Sequence, residues 1–541
     1  MSAPATAAVA LLCGLVFLFK PAQMFEANQP FFYFGFAQIA LLLVPLFLVA
    51  FGVIAWLASR GGARWQRALA AALGGLALAA WINASFVASP GGALDGRTLL
   101  VPLDEERDAL NALLCAGIAL GGAAIAGWRP VLARRFLAAL FLVLAAQTAW
   151  IAATDEHAWR PEGDTRRLTA FSADKNVLVV LLDAFQSDFF PEIAGAEPEL
   201  ARRFEGFTYF ANAVGPAPTT YLALPVIHSG VQYREGERLR DTYRGSVGER
   251  SFMARLARSG YDAMLVNAIL NYCPDGVLCD HEGPLVRGRL KTLAEAAAFL
   301  LDLAVFRIVP DAVKPLVYAE GSWMTTRWVA EDRVVTSNRV LELMARSMHV
   351  GSPRPVARFL HLFSTHAPAR VDARCRPVQN LAWTRETAIA QDRCALSKLG
   401  AVLQALQELG IYDRTAIAVL ADHGAGLPKD GNLGWTWGAA ASPLLLVKPF
   451  GARGPLKHLA RVVGLGDLAA SLCAWTADCR MESGSDLARD AEQPPNYPFL
   501  AYFWRHEYWL AEAVPIFERY EVRGPPRDFA SWKRLPRASH D

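Results

Sequence analysis

The sequence predicts two folded parts of different class: an N-terminal part of membrane-spanning helices, then an α/β part with a mostly parallel central sheet. Composition is the first observation behind this prediction. Only 15 of the first 150 residues are charged, whereas the other 391 carry 45 basic and 45 acidic residues, as an ordinary soluble domain does. Long apolar stretches fill the first part, and short apolar runs alternate with helical patterns in the second.

The overall composition also excludes several classes of protein. A chain of 541 residues that is 53% hydrophobic is too long for one ordinary domain and too apolar to be disordered. The net charge of +3 is too small to indicate a nucleic-acid partner. We therefore predict a transmembrane domain over residues 1–153, a polar linker over 154–174 and an outer domain over 175–541.

Five apolar stretches predict the membrane helices, at about 5–19, 33–58, 68–87, 109–127 and 131–153. Several approach the roughly 20 residues that a helix needs to cross the hydrocarbon core. The first stretch is interpreted as a retained helix rather than a signal peptide, because no clear small-x-small cleavage site precedes the second. Few ionisable residues lie within the spans, so no intramembrane ion path is expected.

Arginines in the short loops predict the orientation of these helices. One loop carries Arg60, Arg64 and Arg67, and the loop before the fifth span carries Arg129, Arg134 and Arg135. The loops on the opposite side are mixed in charge. Because basic loops stay in the cytoplasm, the N-terminus is predicted to lie inside, and everything after residue 153 outside the cytoplasm.

The cysteines give an independent indication of the compartment. Cys13 and Cys115 lie in predicted spans, whereas the outer part holds six cysteines in three sequence-local couples: Cys273 and Cys279, Cys375 and Cys394, Cys473 and Cys479. An even set of this kind is typical of disulfides in an oxidising space. Six cysteines allow 15 connectivities, and pairing of nearest neighbours is the expectation. Their spacings do not match a zinc site.

Buried strands and helices alternate in the outer part. The predicted strands are 176–183, 263–266, 357–363, 415–421 and 443–447, and the predicted helices are 249–259, 330–348 and 384–409. The run Asn176–Asp183 is continuously apolar before its final Asp, as expected of a central strand buried on both faces. A further apolar helix over 291–309 is interpreted either as core packing or as a segment on the membrane surface.

Three of these predicted strands end in Asp or His residues, which are common metal ligands. Asp183 ends the first, His361 and His366 accompany the third, and Asp422 with His423 ends the fourth. Because ligands bind beyond the carboxyl ends of parallel strands, these side chains are expected to converge. A single Asp there is more often a cap or turn residue, but three such ends indicate a site. Asp183, Asp422 and His423 offer two oxygens and one nitrogen to one divalent cation, which we expect to be zinc, manganese or magnesium.

These residues resemble a known pattern. The segment 413–424, which ends in Asp-His-Gly, is its most specific piece, and the others are Asp183, Thr220 with Leu224-Pro225 and Gly230, and His361 with His366-Ala-Pro. In this order the chain resembles the sulfatase-like branch of the alkaline phosphatase superfamily over about residues 175–450. With its five-span anchor it is similar to lipoteichoic acid synthases and phosphoethanolamine transferases. The resemblance therefore implies an alkaline-phosphatase-like outer domain.

The resemblance implies roles for individual residues. Thr220 would be the nucleophile and a metal ligand, and would carry a covalent phospho-threonine intermediate. Thr219 is adjacent and stays an alternative, although counting back ten residues from Gly230 favours Thr220. His366 would contact the phosphoryl group or the leaving group. His361 is assigned to the substrate as well, with a core histidine as the alternative.

Two departures from the family pattern reduce the number of reactions that the resemblance implies. Thr220 is followed by Tyr-Leu-Ala-Leu, which lacks both the Cys or Ser precursor of formylglycine and the motif arginine of sulfatases, so sulfate-ester hydrolysis by that route is not expected. Residues 357–370 contain no Asp, so the second metal set of two-metal phosphatases is missing. One tightly held metal ion is the expectation.

The implied function is transfer of a phosphorylated head group, phosphoethanolamine or phosphoglycerol, from a membrane phospholipid to a cell-envelope glycan or lipid. The implied location is the bacterial inner membrane, with the catalytic domain in the periplasm. Two alternatives stay open. One is a metal-dependent hydrolase of a phosphodiester, phosphonate or other ester, and the other is a catalytically inactive envelope scaffold.

Overall fold

The computed structural model describes residues 3–88, 105–155, 162–379, 381–429, 436–489, 496–505, 508 and 513–536. The chain divides into two compact units. The helical unit comprises Met1–Arg160 and Gly288–Ala330, and the sheet unit comprises Pro161–Arg287 and Glu331–Asp541. Each unit therefore draws on two separate stretches of the chain.

Helices and strands are numbered in chain order through the whole protein. The helical unit contains α1 (Ala3–Gly14), α2 (Lys20–Asn28), α3 (Phe36–Ser59), α4 (Ala63–Ile82), α5 (Glu105–Trp128), α6 (Pro130–Ala153), α14 (Arg289–Ile308) and α15 (Lys314–Tyr318). A π-helical segment, Leu15–Phe19, joins α1 to α2, and another, Asn83–Val87, extends α4.

The predicted number of membrane spans is confirmed for the part of the chain that the structure describes. Five helical segments are long and apolar enough to cross a membrane: Ala5–Phe31, Phe36–Ser59, Ala63–Val87, Glu106–Trp128 and Pro130–Ala153. Large apolar side chains on them, among them Leu41, Leu48 and Val49, are exposed. A contiguous apolar surface of this kind is costly in water and favourable in lipid. The chain is thus a multi-pass membrane protein that continues into an α/β unit.

The segment Gly288–Ala330 corrects the continuous outer domain expected over 175–541. It folds with the helical unit, because the apolar face of α14 packs Leu300 and Phe306 into the same core as Phe25. The buried Asn83 side chain donates hydrogen bonds to the carbonyls of residues 308 and 309, at the end of α14, at 3.1 and 2.9 Å. The apolar helix predicted over 291–309 therefore packs against the membrane helices rather than in the core of the sheet unit.

An eight-stranded sheet forms the centre of the second unit. Its strands are β2 (Asn176–Leu182), β3 (Thr208–Val214), β4 (Asp262–Val266), β5 (Leu278–Asp280), β7 (Val356–Leu362), β8 (Thr415–Leu420), β9 (Leu445–Lys448) and β10 (Lys457–Gly464). Their order is β10-β3-β9-β8-β2-β7-β4-β5, and only β9 runs antiparallel to its neighbours. The predicted mostly parallel sheet is confirmed.

Smaller sheets and covering helices complete the unit. β1 (Ala170–Ser172) pairs with β6 (His349–Ser352), and β11 (Tyr497–Ala501), β12 (Glu518–Val522) and β13 (Trp532–Leu535) form an antiparallel sheet. The helices are α7 (Thr165–Thr169), α8 (Phe189–Ala196), α9 (Pro198–Arg202), α10 (Thr220–Ser229), α11 (Leu239–Tyr243), α12 (Phe252–Arg258), α13 (Glu282–Arg287), α16 (Arg333–Ser347), α17 (Arg385–Glu408), α18 (Thr436–Ala440) and α19 (Asp467–Thr476).

The central strands follow from their sequences. All seven residues of β2 are buried, as is expected of a parallel strand covered on both faces. The five predicted strands correspond to β2, β4, β7, β8 and β9, and the three predicted helices to α12, α16 and α17. The edge strands β5 and β10 and the half-buried β3 were not predicted, because their runs are short or interrupted by polar residues.

The three predicted disulfides are present and pair nearest neighbours. Cys273 is bonded to Cys279, Cys375 to Cys394, and Cys473 to Cys479. Cys13 and Cys115 are free and buried among the membrane helices. All three bonds lie in the sheet unit, and disulfides of this kind are typical of an oxidising compartment.

A buried ion pair ties the sheet to the chain that enters it. Arg358 lies fully buried in the middle of β7, and its guanidinium donates to Asp262 Oδ2 at 2.9 Å. The same guanidinium donates to the carbonyls of Arg167 and Ala170, while Arg167 Nε donates to Asp262 Oδ1 at 2.7 Å. Burial acts to raise the pKa of Asp262. The positive charges of Arg358 and Arg167 nevertheless hold that pKa below its usual range.

We predict that Asp262→Asn lowers the free energy of unfolding by about 3–5 kcal/mol, because it leaves the Arg358 charge buried without a partner. The wild-type contribution is complete above the unfolded-state pKa of about 3.9. It is lost as the pH falls through the lower folded-state pKa. Urea unfolding of the detergent-solubilised chain, followed by tryptophan fluorescence, measures the change, and the double variant with Arg358→Met should lose less. An unchanged midpoint in Asp262→Asn would contradict this account.

Candidate metal centre

The sheet order brings the predicted ligands together. β8, β2 and β7 are adjacent and parallel, so the residues at their carboxyl ends meet at one edge of the sheet. Asp183 directly follows β2, Asp422 and His423 follow β8 after one residue, and His361 is the penultimate residue of β7. These four side chains, which are far apart in sequence, therefore share one buried corner.

Asp183, Asp422 and His423 are spaced as ligands of one ion. One donor atom from each lies within 4.8 Å of the other two. His423 Nε2 is 3.6 Å from Asp183 Oδ1 and 3.5 Å from Asp422 Oδ2, which is too long for hydrogen bonds. Two ligands that bind a tetrahedral ion at about 2.1 Å stand about 3.4 Å apart. The spacing fits a shared cation better than direct contact.

Two oxygens in this corner lack a hydrogen-bond partner. Asp183 Oδ1 and Asp422 Oδ2 are buried and accept no hydrogen bond, and these are the two atoms nearest His423 Nε2. The other oxygen of each carboxylate is hydrogen-bonded. Asp183 Oδ2 contacts His361 Nε2 at 3.0 Å, and Asp422 Oδ1 accepts from the Ala184 N–H at 3.2 Å. Burying carboxylate oxygens without a partner is costly. A divalent cation satisfies both, so the residues fit a metal ion.

The charges of the corner favour this assignment. Burial acts to raise the pKa of Asp183, but His366, His361 and His423 hold that pKa well below its usual range. Burial acts to lower the pKa of His423, yet Asp422 and Asp183 raise it above its usual value. The pocket therefore attracts positive charge at the position of the His423 ring. A bound cation requires that ring to be neutral and supplies the positive charge instead.

Local backbone features fix the two carboxylates. Ala184 has a positive φ of 64°, which aims its N–H at Asp422 Oδ1 immediately after the strand. A non-glycine residue in this region stores strain, and such strain is typical of functional turns. The hydroxyl of Thr365 donates to the Asp183 carbonyl at 2.6 Å. Gly424 is required after His423, because a Cβ there would lie 2.1 Å from the Ala439 carbonyl oxygen.

Thr220 rather than Thr219 faces the ligands. Thr220 is the first residue of α10, and its Oγ1 lies 3.4 Å from Asp183 Oδ2. Thr219 Oγ1 is hydrogen-bonded to the Tyr502 hydroxyl instead. Gly230 caps the carboxyl end of α10 with a φ of 73°, the left-handed conformation of a helix C-cap. The amino terminus of a ten-residue helix thus lies beside the metal corner, where the helix dipole favours negative charge.

The two histidines of β7 and its following loop differ in exposure. His361 is buried, and its contact with Asp183 orients a candidate ligand; its carbonyl accepts a hydrogen bond from Asn267 Nδ2 at 2.8 Å. The His366 side chain is 38% exposed, and its Nε2 lies 4.0 Å from Asp183 Oδ1. Contact of either histidine with substrate stays a prediction, and the exposure of His366 suits that role better.

Several residues that support the corner could not be predicted from the sequence. Ala184 and Thr365 act through backbone geometry, for which the sequence holds no distinctive signal. Gln391, on α17, holds the loop after β7 by donating to the His366 carbonyl at 2.9 Å and accepting from the Arg370 N–H at 2.8 Å. Tyr502 directly follows β11, far from α10 in sequence, and only the fold brings its hydroxyl to Thr219.

No protein-family model and no curated protein matches the sequence. The fold is similar to solved structures. A protein in the alkaline phosphatase superfamily from Vibrio parahaemolyticus is 14% identical and has a TM-score of 0.40, with 68% of this chain and 84% of that chain covered. The lipoteichoic acid synthase LtaP from Listeria monocytogenes is 12% identical, with a TM-score of 0.37 and coverage of 69% and 89%.

The C-terminal periplasmic domain of EcEptC from Escherichia coli is 10% identical, with a TM-score of 0.36, and the match covers 69% of this chain and 98% of that domain. All of these TM-scores lie below 0.5, and the resemblance predicted from the motifs stays a prediction. It assigns no activity to this chain and no role to any of its residues.

We predict that Asp422→Asn lowers the bound divalent metal from about one ion per chain to a small fraction, because it removes one of three ligands that converge on one point. Elemental analysis of the purified chain by mass spectrometry measures the metal content. Asp392→Asn is the matched control, since Asp392 is an equally buried carboxyl whose pKa burial raises well above its usual value. Loss of metal in the control, or retention in Asp422→Asn, would contradict the assignment.

Proposed function

We propose that the protein is a metal-dependent transferase of the bacterial inner membrane that moves a phosphorylated head group, phosphoethanolamine or phosphoglycerol. The donor is a membrane phospholipid, the acceptor is a hydroxyl on a cell-envelope glycan or lipid, and the intermediate is a phospho-threonine at Thr220. The observation that carries this function is the position of the Thr220 hydroxyl, 3.4 Å from Asp183 Oδ2 at the amino terminus of α10. A hydroxyl placed there faces both the candidate ligands and the positive end of a helix.

Different residues of the site would bind the cation and the phosphoryl group. Asp183, Asp422, His423 and Thr220 would hold the cation, which when bound favours the alkoxide form of a coordinated hydroxyl and neutralises charge on a phosphoryl oxygen. The positive end of the α10 dipole favours the negative charge of another phosphoryl oxygen. His361 keeps Asp183 in place and leaves its Oδ1 directed at the shared point.

The reaction then follows in two balanced steps. In the first, the Thr220 oxygen, whose proton has already passed to solvent, forms a bond to phosphorus, and the bond from phosphorus to the diacylglycerol oxygen breaks. His366, which is half-buried at the rim, gives a proton to that leaving oxygen. In the second step the acceptor hydroxyl attacks phosphorus, its proton passes to His366, and the bond to Thr220 breaks. Water in place of the acceptor gives the hydrolase alternative.

The anchor and the disulfides support the location. Five spans that begin in the cytoplasm would leave the sheet unit on the outer side of the membrane, and three disulfides are typical of an oxidising compartment. Phospholipid donors and envelope acceptors are both present on that side. A membrane anchor also keeps the enzyme beside a donor that cannot leave the bilayer.

We predict that Thr220→Ala lowers head-group transfer by several orders of magnitude, because the attacking oxygen is lost. Thr219→Ala is the matched control: it removes only the hydrogen bond to Tyr502, worth about 1 kcal/mol, and should keep most activity. Membranes supplied with phospholipid labelled in the head group provide the assay. Label on envelope material indicates transfer, and soluble label indicates hydrolysis. Full activity in Thr220→Ala would exclude the proposed nucleophile.

We predict that the loss of rate in His366→Gln depends on how much the leaving group needs a proton. Transfer from a phospholipid should slow about 10²–10⁴-fold, since the diacylglycerol oxygen leaves poorly without a proton. Cleavage of a nitrophenyl phosphodiester, whose leaving group needs no proton, should slow much less. Rates for the two substrates, measured on wild type and variant, test this role. Equal slowing of both would show that His366 acts otherwise than as the general acid.

A further inference from the structure

A buried tyrosine of the sheet unit carries a hydroxyl that the protein itself does not bind. Tyr243, the last residue of α11, is 1% exposed, and its hydroxyl has no hydrogen-bond partner among the residues that the structure describes. A buried phenol hydroxyl usually finds a partner, and leaving it without one is costly. A donor of this kind therefore indicates a ligand that is not part of the chain.

Tyr243 lines a small cavity next to the metal corner. Leu224 of α10 and His361 of β7 also line it. Leu224 lies one helical turn after Thr220, and His361 contacts Asp183 Oδ2. The free volume of about 10 Å³ fits one water-sized group, such as a single oxygen of a substrate. The cavity is thus adjacent to the residues that the proposed function assigns to the nucleophile and to the metal ion.

The electrostatic surroundings of the hydroxyl agree with this position. Burial raises the pKa of Tyr243 well above its usual value, and the charges of Tyr502, Tyr221 and Asp422 raise it further. Tyr221 is the second residue of α10, and Asp422 is a candidate ligand of the metal ion. The hydroxyl therefore stays protonated near neutral pH, so it is available as a hydrogen-bond donor and not as a base.

The neighbouring oxygens that could accept this proton have other partners. The Tyr502 hydroxyl is bonded to Thr219, and Asp422 Oδ1 accepts from the Ala184 N–H. Asp422 Oδ2 lies at the point that we assign to the cation. A phosphodiester bound at the corner would bring negatively charged oxygens, which are strong acceptors for a hydroxyl.

The loop that forms one wall of the cavity is strained. Asn267, directly after β4, has a φ of 63°, and Leu270 has a φ of 54°. The Asn267 side chain lines the cavity and donates to Glu282 Oε2 at 3.0 Å and to the His361 carbonyl at 2.8 Å. These bonds hold the loop in an unfavourable backbone conformation. Strain of this kind is typical of loops that bind a ligand.

We infer that Tyr243 is a substrate-binding residue whose hydroxyl donates a hydrogen bond to a phosphoryl oxygen and stabilises the negative charge there. The inference rests on the proposed function, since it requires a phosphodiester to be bound beside Thr220. Its role differs from that of His366, which acts on the leaving oxygen. A donor to the phosphoryl group should matter to the same extent whatever the leaving group is.

The variant Tyr243→Phe tests this role, because it keeps the ring and removes only the hydroxyl. It should lower kcat about 10²-fold, both for head-group transfer from a phospholipid and for cleavage of a nitrophenyl phosphodiester. Replacing one non-bridging oxygen of the nitrophenyl substrate by sulfur gives two stereoisomers. In wild type one of them should react more slowly because sulfur is a weak acceptor, and this sulfur effect should largely disappear in Tyr243→Phe.

Stability separates this role from a structural one. Tyr243→Phe should keep or raise the thermal midpoint of the detergent-solubilised chain, since the hydroxyl that it removes has no partner, and it should keep the metal content. Tyr261→Phe is the matched control. Tyr261 is a buried tyrosine directly before β4, at the opposite edge of the sheet, and its hydroxyl donates to Asp478 Oδ2 at 2.6 Å. This control should lower the midpoint and keep full activity.

The inference and the proposed function fail separately. Unchanged rates and an unchanged sulfur effect in Tyr243→Phe would overturn the inference. A lower thermal midpoint in that variant would also overturn it, because the hydroxyl would then be bonded within the protein. Cleavage of the nitrophenyl substrate that depends on Tyr243, without transfer of any head group, would support the inference and contradict the proposed transfer.

Discussion

The burial of two carboxylates at the ends of adjacent parallel strands is the constraint on which the rest of the site depends. Asp183 and Asp422 each keep one oxygen bonded to the protein and one oxygen without a hydrogen-bond partner. Two such groups side by side repel each other and lose their hydration. Compensating positive charge lowers this cost; the surrounding histidines supply part of it, and a divalent cation at the candidate site would supply the rest.

Much of the local structure follows from that constraint. The strained turn at Ala184 directs an N–H at one carboxylate. Gly424 packs closely against the Ala439 carbonyl, and this contact fixes the position of the segment that carries His423. The start of α10 then brings a hydroxyl and a positive helix end to the same corner. A hydroxyl, a helix amino terminus and a candidate cation site in one place are the parts that the proposed phosphoryl transfer needs.

The sequence was most informative where composition and strand pattern are strong. Continuous apolar runs located β2, β7 and β8, and the rule that ligands gather at the carboxyl ends of parallel strands then predicted the meeting of Asp183, Asp422 and His423. The sequence could not show that α14 belongs with the membrane helices, because an amphipathic helix looks the same whichever core it covers. It also held no signal for Thr365 or Tyr502, whose roles depend on distances set by tertiary packing.

The central claim is that Thr220 becomes covalently phosphorylated by a phospholipid head group. Mass spectrometry of peptides from the acid-quenched protein, after brief exposure to phospholipid, tests it most directly. The account predicts an adduct on Thr220 whose mass equals phosphoethanolamine or phosphoglycerol, and which is lost when an acceptor is added. An unmodified Thr220 under conditions in which the head group is transferred, or an adduct on Thr219 instead, would contradict it.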